Sequence, residues 1–244
     1  MSHCITHFYG VVQEEASKKP GGGDLLSLYL DRDAADENKT AALDDRALRD
    51  VVLNFVIAGR DTTAQALSWS FFRLCIHPEV QSSLRADILR VMKSYSKDDT
   101  PSSLSYDCLQ SMKYLEAFCM EVLRLHPSVP KEAKYAGQDD TLPDGTKVKK
   151  GDLMVFCPWV MGRTEAIWPD AEAFKVDRHY TSTSTSPGAE PDITSMTLVK
   201  HSPFKFIAFQ AGPRTCLGLN LALMEMKCCL VRLLSRFEFS LAQS

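Results

Sequence analysis

Apolar residues recur at helical spacing through the middle of the chain. The longest such segment, 47–75, contains VVLNFVIAG and ALSWSFFRLCI. Because it is apolar on most faces, it predicts a helix buried through the centre of a domain. Asp44 or Asp45 is suited to cap its start, and Pro78 is suited to open a second helix that ends near Tyr95.

The rest of the pattern predicts shorter elements. Helices are predicted over about 104–110 and 112–125, and the end of a helix over 1–20, followed by a glycine joint, a short helix LLSLYL and a charged linker. Short strands are predicted around a turn at 143–145, and the low-complexity segment 181–192 is typical of a surface loop. The predicted fold class is therefore mainly α with a small β portion.

Composition narrows the possible functions. The 244 residues carry a net charge of -3 with scattered Lys and Arg, which argues against nucleic acid as a partner. None of the eight cysteines forms a C-x-x-C pair and most lie inside apolar patterns, which predicts buried free thiols in a reducing compartment. The pattern predicts neither a signal peptide nor a membrane-spanning helix.

The stretch FQAGPRTCLGLNLALMEMK (209–227) places Cys216 in a loop directly before an apolar helix. The helix dipole, the free N–H groups and Arg214 favour the thiolate, while Gly212 and Gly218 permit the close approach of a large flat partner. A thiolate here can be a nucleophile, a metal ligand or a redox sensor, and a buried cysteine at a helix start is the plain alternative. The sequence offers no informative base for a nucleophile and no further ligands at zinc spacing, whereas haem iron needs only one axial protein ligand.

The pattern Phe209-x-x-Gly212-x-Arg214-x-Cys216-x-Gly218 resembles the haem-binding motif of the cytochrome P-450 family, with every defining position filled. The resemblance implies that haem b (iron protoporphyrin IX) is the cofactor and that Cys216 is the axial ligand of its iron. It also implies that Arg214 pairs with a haem propionate and that Phe209 packs beside the sulfur. The N–H groups after Cys216 would hydrogen-bond to the sulfur and tune its electron donation.

The motif AGRDTT (58–63) lies inside the long predicted helix. Glycine there is unfavourable by about 1 kcal/mol relative to alanine, and a buried aspartate needs a partner or a function. The alternative is a helix that tolerates glycine at a packing contact while Asp61 reaches solvent. In the family this motif lies over the distal face of the haem. The resemblance implies that Gly59 makes room for dioxygen, Thr62 stabilises the activated dioxygen by a hydrogen bond, and Asp61 connects a water chain that delivers protons.

Glu121 and Arg124 place opposite charges one helical turn apart, about 90 residues before Cys216, as the family's E-x-x-R does. The alternative is a solvated pair worth about 0.2–0.5 kcal/mol. The family completes a buried triad with an arginine from a Pro-Glu-Arg segment. Here Arg178 matches, while Val176 and Asp177 depart from the commonest form. The resemblance implies a structural triad that holds the core around the cysteine loop.

Three residues after this helix stay unassigned. His126, Lys131 and Lys134 are close enough in sequence to reach haem propionates, but surface or turn roles fit them equally well.

The resemblance covers nearly the whole chain. It implies an incomplete cytochrome P-450 fold, the C-terminal half, as one partial domain over 1–244. The oxygen-activating helix would lie at about 44–76, the E-x-x-R helix at 111–126, and the haem-binding loop with its following helix at 209–236. KYAGQDDTLPDGTKVKKGD and IWPDA resemble the branch of eukaryotic fatty-acid ω-hydroxylases.

The implied activity is a monooxygenase that inserts one atom of dioxygen into an apolar substrate, a long-chain fatty acid. No flavin or nicotinamide motif is present in the sequence, so a separate NADPH-dependent flavin reductase would supply the electrons. The branch implies an intracellular location on the endoplasmic reticulum membrane, through an N-terminal anchor that this chain is expected to lack. The chain is about half the usual length, so two rival interpretations stand beside the enzyme: a non-catalytic remnant, or a helical interaction module with relic motifs.

Overall fold

A computed structural model describes three segments of the chain, residues 44–95, 104–182 and 195–242. The predicted helix end over 1–20, the short helix LLSLYL and the charged linker lie outside the described residues, and so does most of the predicted surface loop 181–192. The chain divides into two compact units, Met1–Asp61 and Thr62–Ser244. The part of the first unit that the structure describes, residues 44–61, is helical after its first residue.

Helix α1 (Asp45–Ile76) has 32 residues and contributes to both units. Its start agrees with the predicted cap, because Oδ1 of Asp44 accepts a hydrogen bond from the backbone N–H of Ala47 at 2.7 Å. An aspartate at this position satisfies one of the free N–H groups of the first turn and its charge favours the helix dipole.

The prediction that α1 is buried on most faces is wrong. In the second unit only a narrow stripe of it is buried, formed by Thr63, Ala66, Ser70 and Leu74. Ile57 in the first unit is 67% exposed, and Phe72 in the second is 40% exposed. An apolar helix face predicts burial only if other elements are present to cover it.

The core of the second unit lies mainly among four helices. Helix α2 (Pro78–Tyr95) begins at the predicted proline and buries one face, and the short α3 (Tyr106–Ser111) leads into α4 (Lys113–Leu125). Helix α4 is buried over most of its length, which makes it the central element. The last helix, α6 (Leu219–Leu234), packs on the same core through four apolar residues, Met226, Leu230, Val231 and Leu234.

The β portion consists of three small antiparallel pairs. Strand β1 (Glu132–Tyr135) pairs with β4 (Leu153–Phe156). Strand β2 (Asp140–Thr141) pairs with β3 (Lys147–Val148) around the predicted turn, where Gly145 has a φ of 88° that favours glycine.

A short helix, a 3-10 turn and the third strand pair come next in the chain. Helix α5 (Pro158–Met161) follows β4, and a 3-10 turn (Val176–His179) leads into strand β5 (Tyr180–Thr181). Strand β5 pairs with β6 (Thr197–Leu198). Among the described residues, no helix is both long and apolar enough to cross a membrane.

The cysteines agree only in part with prediction. The seven that fall in the described residues are all free thiols, but only Cys108 and Cys119 are fully buried, while Cys216 and Cys229 are exposed. Burial raises the pKa of the Cys119 thiol to about 12, so this group is an inert part of the core.

Candidate functional site

The loop before α6 presents Cys216 at the surface of the second unit. Phe209 packs against the core and anchors one end of the loop, and the backbone N–H of Cys216 donates to the carbonyl of Phe209 at 2.8 Å. Between them the chain turns through left-handed conformations at Gln210 (φ 65°) and Gly212 (φ 69°). Gly212 therefore supplies a backbone conformation that other residues rarely adopt.

The face of the loop around Cys216 is open. A Cβ atom added at Gly212 would meet nothing within 4 Å, and one added at Gly218 would meet only the Cys216 sulfur, at 3.9 Å. Arg214 is exposed, and Leu217 is 87% exposed. The packing of the described residues does not itself demand a glycine at Gly218.

The donor set suits a metal that needs only one protein ligand. Within the described residues, no group of three or more His, Cys, Asp or Glu side chains could hold a metal ion. A zinc centre needs such a group, whereas haem iron takes a single axial thiolate. The exposed thiol, the open glycine face and the nearby guanidinium of Arg214 together fit a haem.

A buried ionic centre lies on α4, where Glu121 and Arg124 are almost wholly buried. Nε of Arg124 donates to Oε2 of Glu121 and Nη2 donates to Oε1, both at 2.7 Å. The remaining N–H groups of Arg124 donate to the carbonyls of Ala171 at 2.8 Å, Ala173 at 3.0 Å and Gly162. All five donors of the guanidinium are therefore used.

The Glu121 carboxylate receives further donors. The backbone N–H of Lys175 donates to Oε1 at 2.8 Å, and Nε2 of His179 lies 2.9 Å from Oε2. Burial alone would raise the pKa of Glu121, but the hydrogen bonds from Arg124 and His179 outweigh it and hold the pKa below its ordinary value. The carboxylate is therefore ionised near neutral pH.

Arg178 also reaches this centre. Its Nε lies 3.5 Å from Oε1 of Glu121, an ion pair without hydrogen-bond geometry, while its Nη atoms donate to the carbonyls of Pro169 and Asp170. The structure thus brings the three predicted triad residues together. Of the two departures from the commonest motif, Val176 is buried and Asp177 is exposed, so Asp177 does not take part in the centre.

Sequence reasoning missed three residues of this centre: Gly162, His179 and His201. A Cβ atom at Gly162 would lie 2.1 Å from the backbone oxygen of Arg124, so only glycine lets α5 approach α4 here. Nδ1 of His179 lies 3.0 Å from Nε2 of His201. No spacing in the sequence marks these contacts, because each depends on where distant segments meet.

The AGRDTT motif lies on α1. Asp61 is 73% exposed at its side chain, with Nε of Arg60 at 3.8 Å, so the alternative of a solvent-facing aspartate describes this structure. The carbonyl of Thr62 accepts a hydrogen bond from the Ser128 hydroxyl at 2.7 Å, and the Thr63 hydroxyl donates to Oε2 of Glu225 at 3.4 Å. The roles predicted for Gly59, Asp61 and Thr62 stay predictions.

Of the three unassigned residues, Lys131 and Lys134 are exposed, while His126 is buried. The His126 ring stacks on Trp69 with centroids 3.9 Å apart, and its Nε2 accepts a hydrogen bond from Nε of Arg73 at 3.0 Å. His126 is therefore a packing residue between α1 and α4 within the second unit.

Comparisons with known proteins give a consistent family. The family model described as Cytochrome P450 matches residues 1–244. Cytochrome P450 704C1 of Pinus taeda is 40% identical over 245 residues, covering 96% of this chain and 44% of that protein. Cytochrome P450 704B1 of Arabidopsis thaliana is 36% identical, covering 89% and 43%. Alkane hydroxylase MAH1 of the same plant is 33% identical, covering 93% and 41%. The chain thus spans less than half the length of these relatives.

Solved structures agree with the sequence relatives. The cytochrome P450DA heme domain is 27% identical to this chain, with a TM-score of 0.76 over 96% of this chain and 46% of that one. A mutant of the same domain has a TM-score of 0.75. The prediction of a mainly α fold with a small β portion, covering about half of the complete fold, is confirmed.

Proposed function

The chain belongs to the cytochrome P450 family, and from that premise we propose that it is a haem-dependent monooxygenase that inserts one atom of dioxygen into an apolar substrate. The observation that carries the proposal is the loop in which Cys216 stands exposed beside the open face of Gly212 and Gly218. Family membership and the open surface of this loop favour the same cofactor.

The residues of the loop would hold haem b. Cys216 would be its axial thiolate ligand, and the exposed Arg214 guanidinium would pair with a propionate. Phe209 would flank the sulfur from the core side. When bound, the haem supplies the redox chemistry that activates dioxygen. The protein's share is to orient the sulfur, to keep it as thiolate and to exclude competing ligands.

The proton-handling residues are proposed from the motif on α1. The Thr62 hydroxyl would donate a hydrogen bond to the reacting oxygen, and Asp61 would exchange protons with solvent water at its carboxylate. The exposed position of Asp61 suits such an exchange. Gly59, where an added Cβ would meet nothing within 4 Å, would leave space for dioxygen.

The substrate is proposed to be a long-chain fatty acid, hydroxylated near its far end. Alkane hydroxylase MAH1 acts, by its name, on alkanes, and the segments around IWPDA resemble the ω-hydroxylase branch. By family, electrons would come from a separate NADPH-dependent flavin reductase. By family, the enzyme would work at the endoplasmic reticulum membrane.

A second candidate is a chain that retains the motifs without binding haem, either as a remnant or as a helical interaction module. The observation that favours it is the exposed apolar side chains of α1 in the second unit, such as Phe72 and Ile76, because exposed apolar surface marks aggregation or partner binding.

The experiment that separates the two is a carbon-monoxide difference spectrum of the reduced, haem-supplemented chain. We expect the Soret band of a thiolate-ligated haem, and we expect Cys216→Ser to lose it. Cys229→Ser, which removes another exposed thiol on the following helix, is the matched control and should keep the band. A chain that takes up no haem, or a Cys216→Ser variant that keeps the thiolate band, would refute the proposed function.

A further inference from the structure

Two histidines and a carboxylate of the second unit form a chain of short contacts. Oε2 of Glu121 is 2.9 Å from Nε2 of His179, and Nδ1 of His179 is 3.0 Å from Nε2 of His201. Glu121 and His179 are fully buried, and His201 is half-buried. The two imidazoles therefore form a chain of hydrogen bonds that leads from the ionic centre on α4 to a different segment.

The third strand pair brings the two rings together. His179 directly precedes β5, and His201 follows β6 by a few residues. The pairing of Tyr180 with Leu198, and the hydrogen bond from Val199 N–H to the His179 carbonyl at 2.9 Å, bring the two histidines side by side. Their approach is thus a consequence of strand register, which also holds both rings in fixed orientations.

The acceptors determine where the protons lie. Glu121 is ionised, so Nε2 of His179 must carry a proton to donate to it. The hydrogen bond between Nδ1 of His179 and Nε2 of His201 needs one proton, carried by one of these two nitrogens. Burial, then the charges of His179 and Lys205, lower the pKa of His201 to about 4, which agrees with a neutral ring.

The chain of contacts from Glu121 through His179 to His201, called the relay below, ends on the segment that leads to Cys216. The His201 ring meets the buried Trp168 ring edge-on with centroids 5.0 Å apart, and Nζ of Lys205 lies 4.3 Å from the centroid of the same Trp168 ring. Trp168 also faces the Arg124 guanidinium at 5.5 Å. The segment from His201 to Phe209 is thus held at its start by the relay, and at its end the Phe209 carbonyl holds the N–H of Cys216.

We propose that His179 and His201 are positioning residues. Their hydrogen bonds, each of which carries one proton, connect the segment that leads to Cys216 with Glu121. The inference rests on the proposed function only in the role given to Cys216. The relay holds the loop that carries the thiol in a fixed position relative to α4, so it positions the thiol without contacting it.

The protonation pattern can be read directly by nitrogen-15 NMR of the histidine rings in the full chain without added haem. At neutral pH we expect a proton on Nε2 of His179, and one proton shared between Nδ1 of His179 and Nε2 of His201. A spectrum in which Nδ1 of His179 and Nε2 of His201 both lack a proton leaves no hydrogen bond between the rings and overturns the proposal. Because no haem is needed, this result is independent of the carbon-monoxide spectrum.

Hydrogen exchange of the peptide that contains the Cys216 amide tests the positioning role. His201→Phe keeps a ring but leaves Nδ1 of His179 without its hydrogen-bond partner, and we expect this amide to exchange about tenfold faster. His201→Gln restores a group that can donate or accept and should return exchange to the wild-type rate. His77→Phe, which changes a histidine outside the relay, is the matched control. An unchanged rate in His201→Phe, or no rescue by glutamine, would overturn the inference.

Discussion

At the scale of single residues, every N–H donor of the Arg124 guanidinium has a hydrogen-bond acceptor. Its five N–H groups meet two carboxylate oxygens and three carbonyls, those of Gly162, Ala171 and Ala173. A planar fork with five donors satisfies this set, and a lysine with three donors cannot. The guanidinium therefore joins α4 to the turns after α5, and its charge balances Glu121.

We predict that Arg124→Ala lowers the free energy of unfolding by about 3–5 kcal/mol, because it leaves the Glu121 carboxylate buried without its main partner. Haem incorporation should be lost with it. Urea unfolding and the carbon-monoxide spectrum measure the two effects. Arg124→Lys should recover only part of the stability, and Arg232→Ala, an exposed arginine on α6, should change little. A stable Arg124→Ala variant with a normal haem spectrum would contradict this placement.

The residues of this centre also show how far a sequence can be interpreted. Glu121 and Arg124 are predictable because they lie one turn apart on a helix whose pattern is clear. Gly162, His179 and His201 are 38 to 77 residues from Arg124 in the chain, and their contacts exist only once strand register and helix packing are set. Motif spacing carries no information about such contacts.

A second buried ion pair governs how the elements pack. Lys227 on α6 is 2% exposed, and its Nζ contacts Oε2 of Glu116 on α4 and lies 3.4 Å from the carbonyl of Leu109 on α3. The side chain of Glu116 is 22% exposed, so the carboxylate keeps some solvent while the ammonium does not. The pair joins the helix after the cysteine loop to the central helix.

This asymmetry predicts unequal single mutants. Glu116→Gln leaves a charged ammonium in the core and should destabilise the protein by about 3 kcal/mol, whereas Lys227→Met leaves a carboxylate that can reach water and should cost less. The double mutant should be more stable than Glu116→Gln alone. Urea unfolding of the four proteins in a double-mutant cycle measures the coupling. Equal losses in the two single mutants would contradict the argument.

Helix limits were predictable where local chemistry sets them, as at the Asp44 cap and at Pro78. The burial of α1 was not predictable, because periodicity shows which positions are apolar and says nothing about what covers them. In the second unit the stripe of Thr63, Ala66, Ser70 and Leu74 is buried and Leu67 and Phe71 pack beside it, while other apolar side chains of that part of α1, such as Phe72, stay exposed.

At the scale of the whole molecule, the change of stability in acid follows from titratable groups whose pKa values are shifted by folding. Burial, then the charges of Arg73, Arg163 and Arg124, lower the pKa of His126 to about 4. Protonation of its Nε2 would also break the hydrogen bond from Arg73 and oppose two cations. His201 has its pKa lowered to about 4 as well, so both rings resist protonation in the folded chain.

A histidine whose folded-state pKa is depressed contributes stability that is fully present above its unfolded pKa of about 6.5 and is lost as pH falls toward about 4. The unfolded chain binds more protons over this window, so stability must fall with pH. Glu121, with its lowered pKa, extends the loss below the ordinary carboxyl range, whereas Asp87, whose pKa burial raises, opposes the loss above that range. The two histidines set the direction of the pH dependence between about pH 6.5 and pH 5.

We predict that the urea midpoint of the chain falls steadily from about pH 7 to about pH 5, and that His126→Gln makes this fall shallower. Glutamine keeps an acceptor for Nε of Arg73 but does not titrate, so the variant loses stability at neutral pH through the missing stack on Trp69 while it responds less to acid. Urea titrations of both proteins across this window measure the two slopes. Parallel slopes would mean that His126 takes up its proton equally well in the folded and unfolded chain, and the remaining acid response would then have to come from His201.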